Sequence, residues 1–187
     1  MKRHANSGRR GKKEPSGEPA VRALSNEIVL GIDPGSVYCG YGVVRTNRTG
    51  ESGYVYISSG RIGMKKGAPL CHRLRELFEG LSEVMREFSP QACAVEKIFF
   101  AKSVRGALSL GHARGIALLA GAMGSVPIYE YSALEVKKAV TGYGRAEKAQ
   151  VQAMIKRLLG LSFSPSPDGA DALALALCHL HRRSFPA

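Results

Sequence analysis

After a polar leader, the apolar positions of this chain keep two rhythms, one of strands and one of helices. Residues 1–25 are rich in Lys, Arg, Gly, Ser and Pro and offer almost nothing to bury. That is the pattern of a flexible basic arm. The character changes at residue 26, and 26–187 are expected to form a single domain. Ile28-Val-Leu-Gly-Ile32 is a continuous apolar run of the buried-strand type, stopped by Asp33-Pro34-Gly35. Tyr41–Arg45 and Tyr54–Ser59 read as two further strands around a polar Asn-Arg-Thr-Gly-Glu-Ser turn. Connections this short make the three an antiparallel meander.

The rhythm then switches. Leu70, Leu74, Leu77, Phe78, Leu81, Val84, Met85 and Phe88 recur at steps of three and four, and Ser89-Pro90 ends the run, which predicts a helix. Ala92-Cys-Ala-Val-Glu96 predicts a strand, and Ser103–Met123 a long helix dense in Gly and Ala. Pro127–Tyr131 predicts a fifth strand, leading into Ser132-Ala-Leu-Glu135, a capping box that opens another helix. The glycine-broken loop Thr141–Arg145 precedes a helix from about Ala146 to Leu159. A last helix, from about Asp168 to Arg182, follows the Ser/Pro-rich stretch 162–167. The order βββ-α-β-α-β-α, with added helices, implies an α/β fold: a mixed five-stranded sheet with helices on both faces.

Charge narrows the partners. Twenty-seven Lys and Arg against fifteen Asp and Glu give a net +12 in 187 residues. The arm carries seven of the cations against two Glu, which leaves the rest of the chain at +7. A basic domain favours a polyanion. No apolar run approaches the ~18 residues of a membrane span, and the N-terminus lacks the apolar stretch of a secretory signal. A cytoplasmic location is expected. Cys39, Cys71, Cys93 and Cys178 form no CxxC pair and are expected to be buried free thiols. The five His make no HxxxH or HExxH pattern.

Against that basic background, four acids fall at informative places. Asp33 ends the first strand and Glu96 the fourth, both where a sheet rim is expected. Asp168 and Asp171 are three apart on one helix, so their carboxylates share a face. Each has a plain structural reading. Asp33 before Pro-Gly suits a turn, and Glu96 could pair with Lys97 or Lys102. Ser166-Pro167-Asp168 suits a helix start with an N-cap, a first-turn Pro and a dipole-complementing acid. Asp171 fits that reading less well, because the Ala-Leu repeat around it belongs to a buried helix. Together the four offer an oxygen-only donor set on three elements, suited to hard Mg²⁺ or Mn²⁺ rather than zinc. Two such ions would serve phosphodiester hydrolysis.

A longer set of motifs resembles the RuvC family of bacterial Holliday junction resolvases. It comprises Ile32-Asp-Pro-Gly-Ser36 with Gly40-Tyr-Gly-Val43, Val95-Glu-Lys-Ile-Phe99 with Ala101-Lys102, Leu110-Gly-His-Ala-Arg-Gly115, Val136-Lys137, Gly142-Tyr-Gly-Arg-Ala-Glu-Lys148 and Ala170-Asp-Ala-Leu-Ala174. These span about Val29 to Cys178 in order. The resemblance implies an RNase H-like fold and catalytic, metal-binding acids at Asp33, Glu96, Asp168 and Asp171, with two ions per site. It implies a junction-contacting aromatic at Phe99 and DNA-contacting lysines at Lys137 and Lys148; Lys102 and Arg145 join the expected DNA-contacting set. It also implies a homodimer making paired symmetric nicks in four-way junction DNA, and the RuvA–RuvB branch-migration complex as partner. Lys97, His112 and Arg145 depart from the usual pattern, and none removes an acid. The helix around Gly106, Gly111 and Gly115 is the candidate dimer face, although those residues could instead pack on the sheet. Two other functions compete: a YqgF-type RNA-processing nuclease, and a non-catalytic DNA-binding module. The Glu-Lys-Ile-Phe-Phe-Ala-Lys and Gly-Arg-Ala-Glu-Lys segments argue against the first.

Overall fold

A computed structural model of the chain describes residues 26–47, 53–97 and 104–184. The basic arm, Phe99 and Lys102 lie outside the described residues. In chain order the elements are β1 (Ile28–Asp33), β2 (Tyr38–Thr46), β3 (Tyr54–Gly63), α1 (Leu70–Phe88), β4 (Ala92–Glu96), α2 (Val104–Met123), β5 (Ile128–Tyr131), α3 (Ala133–Thr141), α4 (Lys148–Leu158) and α5 (Pro167–Ser184). The strands form one sheet in the order β3-β2-β1-β4-β5. β1 runs antiparallel to β2, as β2 does to β3, while β4 and β5 run parallel to β1. The expected mixed five-stranded sheet is the one observed.

The period-two alternation of the strands divides the core. Val29, Val44, Ala92, Ala94 and Tyr131 face one side, where α3, α4 and α5 pack. Leu30, Ile32, Val43, Cys93 and Val95 face the other, under α1 and α2. Both sides of β1 are covered, which is why its sequence is apolar at every position but its last.

α5 is the most buried helix, apolar nearly all round from Ala170 to Leu180. It lies close on the sheet because the strands beneath it carry glycine where it crosses. A methyl group on Gly31 would stand 1.9 Å from the Ala172 carbonyl oxygen, and one on Gly40 2.1 Å from that of Asp168. Its start is built as the sequence suggests: Ser166 Oγ accepts from the Gly169 N–H at 3.2 Å, and Pro167 takes the first helical position. The capping box at Ser132 and Glu135 is also present.

Some elements differ from expectation. β2 begins at Tyr38 rather than Tyr41, and β3 runs on to Gly63, because their pairing continues past the polar rim. α4 begins at Lys148 rather than near Ala146, because Glu147 closes a second capping box with Gln150. Cys39, Cys93 and Cys178 are buried free thiols, but Cys71 is exposed, since it sits in the first turn of α1 away from the sheet. Among the described residues, no helix is long and apolar enough to cross a membrane.

Candidate active site

Strand register brings the acids into one row. Asp33 ends β1 opposite Gly40 of β2, and one strand over Ile32 pairs with Val95, which sets Glu96 beside Asp33. Glu96 in turn pairs with Tyr131. Side chains alternate along a strand. Val29 and Gly31 meet the α5 side of the sheet, so Asp33 does too; Ala92 and Ala94 put Glu96 on the same side. α5 lays its first turn over this row, since the backbone of Asp168 rests on Gly40. Asp171, one turn along, lines a cleft of about 280 Å³ with Asp33, Glu96, Val136, Lys137 and Lys148.

Three chain segments distant in sequence therefore share one electrostatic field. Asp33 shows the consequence most clearly. Burial raises its pKa, and the charges of Asp171, Glu96 and Asp168 raise it further, to about 7, with Lys148 partly offsetting them. Glu96 is raised too, by burial and then by Asp171, again against Lys148. Acids that repel one another in a half-buried cleft call for a cation. Lys148 supplies part of it. Its Nζ donates to Asp171 Oδ2 at 2.5 Å, and that bond, with the charges of Asp171, Asp33 and Asp168, raises the lysine pKa.

The donor set fits a hard divalent ion: oxygen only, anionic, and short of positive charge. As placed, no three Asp, Glu, His or Cys side chains among the described residues enclose an ion-sized gap. The acids gather at one rim without closing on a point, and Lys148 stands among them.

The structure brings together Asp33, Glu96, Asp168, Asp171, Lys137 and Lys148 from the sequence-derived set. Arg145 is exposed on the loop before α4 and does not line the cleft. Two features of the cleft escape the sequence reading. Lys148 is bonded to an acid rather than free to meet phosphate, a pairing across 23 positions that no local spacing reveals. Gly31 and Gly40 set the height of α5 above the acids. The single glycine of β1, Gly31, and the alternate glycines of β2, Gly40 and Gly42, were the available signal for that close approach.

Comparisons with known proteins identify the family and the fold. The family model of crossover junction endodeoxyribonuclease RuvC matches residues 29–179. A crossover junction endodeoxyribonuclease RuvC of Desulforamulus reducens is 50% identical over 155 residues, covering 81% of this chain and 92% of the relative. One from Legionella pneumophila is 45% identical over 157 residues, covering 84% and 88%. The solved Thermus thermophilus RuvC in complex with a Holliday junction substrate superposes with a TM-score of 0.79 at 34% identity, covering 85% of this chain and 96% of that one. A yeast mitochondrial Holliday junction resolvase shares the fold at a TM-score of 0.60 and 12% identity.

Proposed function

The chain belongs to the RuvC family of crossover junction endodeoxyribonucleases, and from that membership we propose how its acid cleft works. The protein is an endodeoxyribonuclease with an RNase H-like fold that binds and resolves Holliday junctions in DNA recombination and repair, and its hydrolysis depends on divalent metal. In our reading, Asp33, Glu96, Asp168 and Asp171 hold two Mg²⁺ or Mn²⁺ ions. The observation that carries this assignment is the strand register and helix docking that bring Asp33, Glu96 and Asp171 to one cleft, with the start of α5 at Asp168 seated beside them on Gly40. When bound, the ions activate the attacking water and stabilise the leaving oxygen.

The chain's own residues do the rest. Asp33 and Glu96 end neighbouring strands of a packed sheet, so their backbones are fixed before any ion arrives. Asp171, now bonded to Lys148, would be a ligand once that bond is released. Lys148 would then meet a phosphate oxygen near the cut, and Lys137, on the wall of the same cleft, would contact the same backbone. Phe99, three residues beyond Glu96 in sequence, stacks on an unpaired base at the junction centre. Lys102, Arg145 and the arm of residues 1–25 add backbone contacts.

One set of acids serves one strand, so paired nicks need a C₂ dimer. We assign its interface to the outer face of α2. Val104, Leu108, Leu119 and Met123 are exposed there, and methyl groups placed on Gly111 or Gly115 would meet nothing within 4 Å. Those glycines are not packing on the sheet, so the close approach they permit is to another molecule. By family, the RuvA–RuvB complex is the partner that presents the junction.

The test is cutting against binding. Asp33→Asn and Glu96→Gln should each abolish nicking of a synthetic four-way junction while binding survives or tightens. Retained cutting by both variants would sink the metal-site assignment. A junction cleaved no better than single-stranded RNA would instead favour the RNA-processing alternative.

A further inference from the structure

The row of register partners that carries the acids continues past them on the β3 side. Arg61 of β3 pairs directly with Gly40, and Gly40 pairs with Asp33. Paired residues in an antiparallel ladder project to the same face. Arg61 therefore stands on the α5 side of the sheet, two strands from Asp33. At ~4.8 Å per strand that is about 10 Å. Between them lies the start of α5, its Asp168 backbone seated on Gly40.

Arg61 is exposed, and it is held in place. Its guanidinium lies 4.3 Å over the centre of the Tyr38 ring, the diagonal neighbour on β2. Tyr38 is itself 43% exposed, and its ring edge lies over the position a side chain would take at Gly63, 3.5 Å from it. Among the described residues no carboxylate pairs with Arg61. A guanidinium held over an aromatic face keeps N–H donors available and loses little entropy on binding, which suits a phosphate oxyanion. Exposed Lys65 and Lys66 follow in the turn after β3, where the Lys65 backbone N–H donates to Glu76 Oε2 at 2.8 Å.

Lys137 and Lys148 stand on the opposite bank, on α3 and α4. A strand gripped only there would leave its run beyond the acids unheld. We propose that Arg61, oriented by the Tyr38 ring, binds a backbone phosphate of the junction on the β3 side of the acids, opposite Lys137 and Lys148. The proposal rests on the resolvase reading. It adds to that reading a second contact bank and a residue pair that neither the acids nor the lysines require. Arg61 is the contact, and Tyr38 the positioning residue.

The experiment measures affinity of the full-length protein for a synthetic four-way junction across a salt series, without divalent metal. Arg61→Ala should weaken binding about fivefold and reduce the salt slope by about one released counterion. Arg61→Lys should keep the slope and recover only part of the affinity, since it restores charge without the planar fork. Tyr38→Leu should fall toward Arg61→Ala, and Tyr38→Phe should rescue it. The double variant Tyr38→Leu with Arg61→Ala should be no weaker than Arg61→Ala alone, because both changes remove one contact. Arg61→Ala binding within about twofold of wild type at an unchanged slope would overturn the proposal. The two failures separate cleanly. Wild-type protein that does not nick junctions defeats the resolvase reading, whereas wild type that nicks beside an Arg61→Ala that binds normally defeats only this contact.

Discussion

With its carboxyl lifted to about 7, Asp33 ionises at the expense of the fold. The ordinary value is 3.8, so between there and about 7 the unfolded chain releases a proton that the folded one keeps. Stability contributed by neutral Asp33 is complete below about pH 4 and is lost as pH rises through 7. Asp33→Asn stays neutral at every pH. In EDTA at pH 8 the variant should melt a few degrees above wild type, at ~2–4 °C per kcal/mol for a domain of this size, and the gap should close near pH 4. Adding Mg²⁺ or Mn²⁺ should raise the wild type and leave the variant almost unmoved. A variant that melts no higher than wild type in EDTA would mean that neither burial nor the neighbouring acids penalise the ionised Asp33 carboxylate. His179 gives the opposite sign. It is fully buried; its Nδ1 shares a 2.8 Å hydrogen bond with Tyr131, and its Nε2 stands 4.0 Å from Glu27. Burial and then Arg183 hold its pKa down, from 6.5 to about 4. The stability it contributes is present above 6.5 and drains as pH falls toward 4, by up to roughly 3 kcal/mol. His179→Gln should flatten the urea-denaturation stability profile between pH 6.5 and 4, and a profile as steep as wild type would refute the role.

Gly40 links residue to element, because the height of α5 over the acid row is set where the helix touches the strands. Adding one methyl at Gly40 drives it into the Asp168 carbonyl, a backbone atom that yields only if the whole first turn shifts. Gly40→Ala should therefore lower nicking at least tenfold through displacement of the Asp168 and Asp171 carboxylates, since misplacement of about 1 Å can cost two orders of magnitude. Junction binding through the lysines should change far less. A Gly40→Ala protein that cuts normally would show that the helix start is not held by this contact. The same scale explains what the sequence revealed. Strands and helices were legible because each has one dominant period: every apolar position of α1 at three- and four-residue steps, every residue of β1 but the last. Asp33 and Glu96 were legible as strand-terminal acids on apolar runs. The bond from Lys148 to Asp171 was not, because it depends on how α4 docks against α5, and no local pattern encodes that docking. Strand ends were misjudged at Tyr38 and Gly63 for a related reason: pairing there is set by the partner strand, while glycines at 40, 60 and 63 break the local apolar run. Nor did hydrophobic periodicity warn that Cys71 would face outward from the first turn of α1.

For the whole molecule the question is how one acid cleft per chain makes two nicks. α2 holds its small and buried residues, Ala113, Ala117 and Ala120, against the sheet, and turns Val104, Leu108, Gly111, Gly115, Leu119 and Met123 outward. In a monomer an exposed mid-helix glycine with open space around it is simply unfavourable. Gly111→Ala and Gly115→Ala would each then stabilise by about 0.5–1 kcal/mol. In a dimer whose α2 helices cross there, the same methyl groups would push the backbones apart and weaken association. The sign of the effect is therefore diagnostic. The wild type should run at twice its 20.0 kDa chain mass, and the double glycine variant should dissociate at higher concentration than wild type. Leu108→Asp should yield monomers that keep the fold, since that side chain is 60% exposed. Such monomers should still bind junctions, with a shallower salt dependence, and should leave nicks uncoupled rather than paired. Mixing wild type with Asp33→Asn should give heterodimers that open one strand of a junction and stop. Paired cutting by a Leu108→Asp protein that stays monomeric on the junction would break the tie between symmetry and resolution, because a single cleft would then have served both strands in turn.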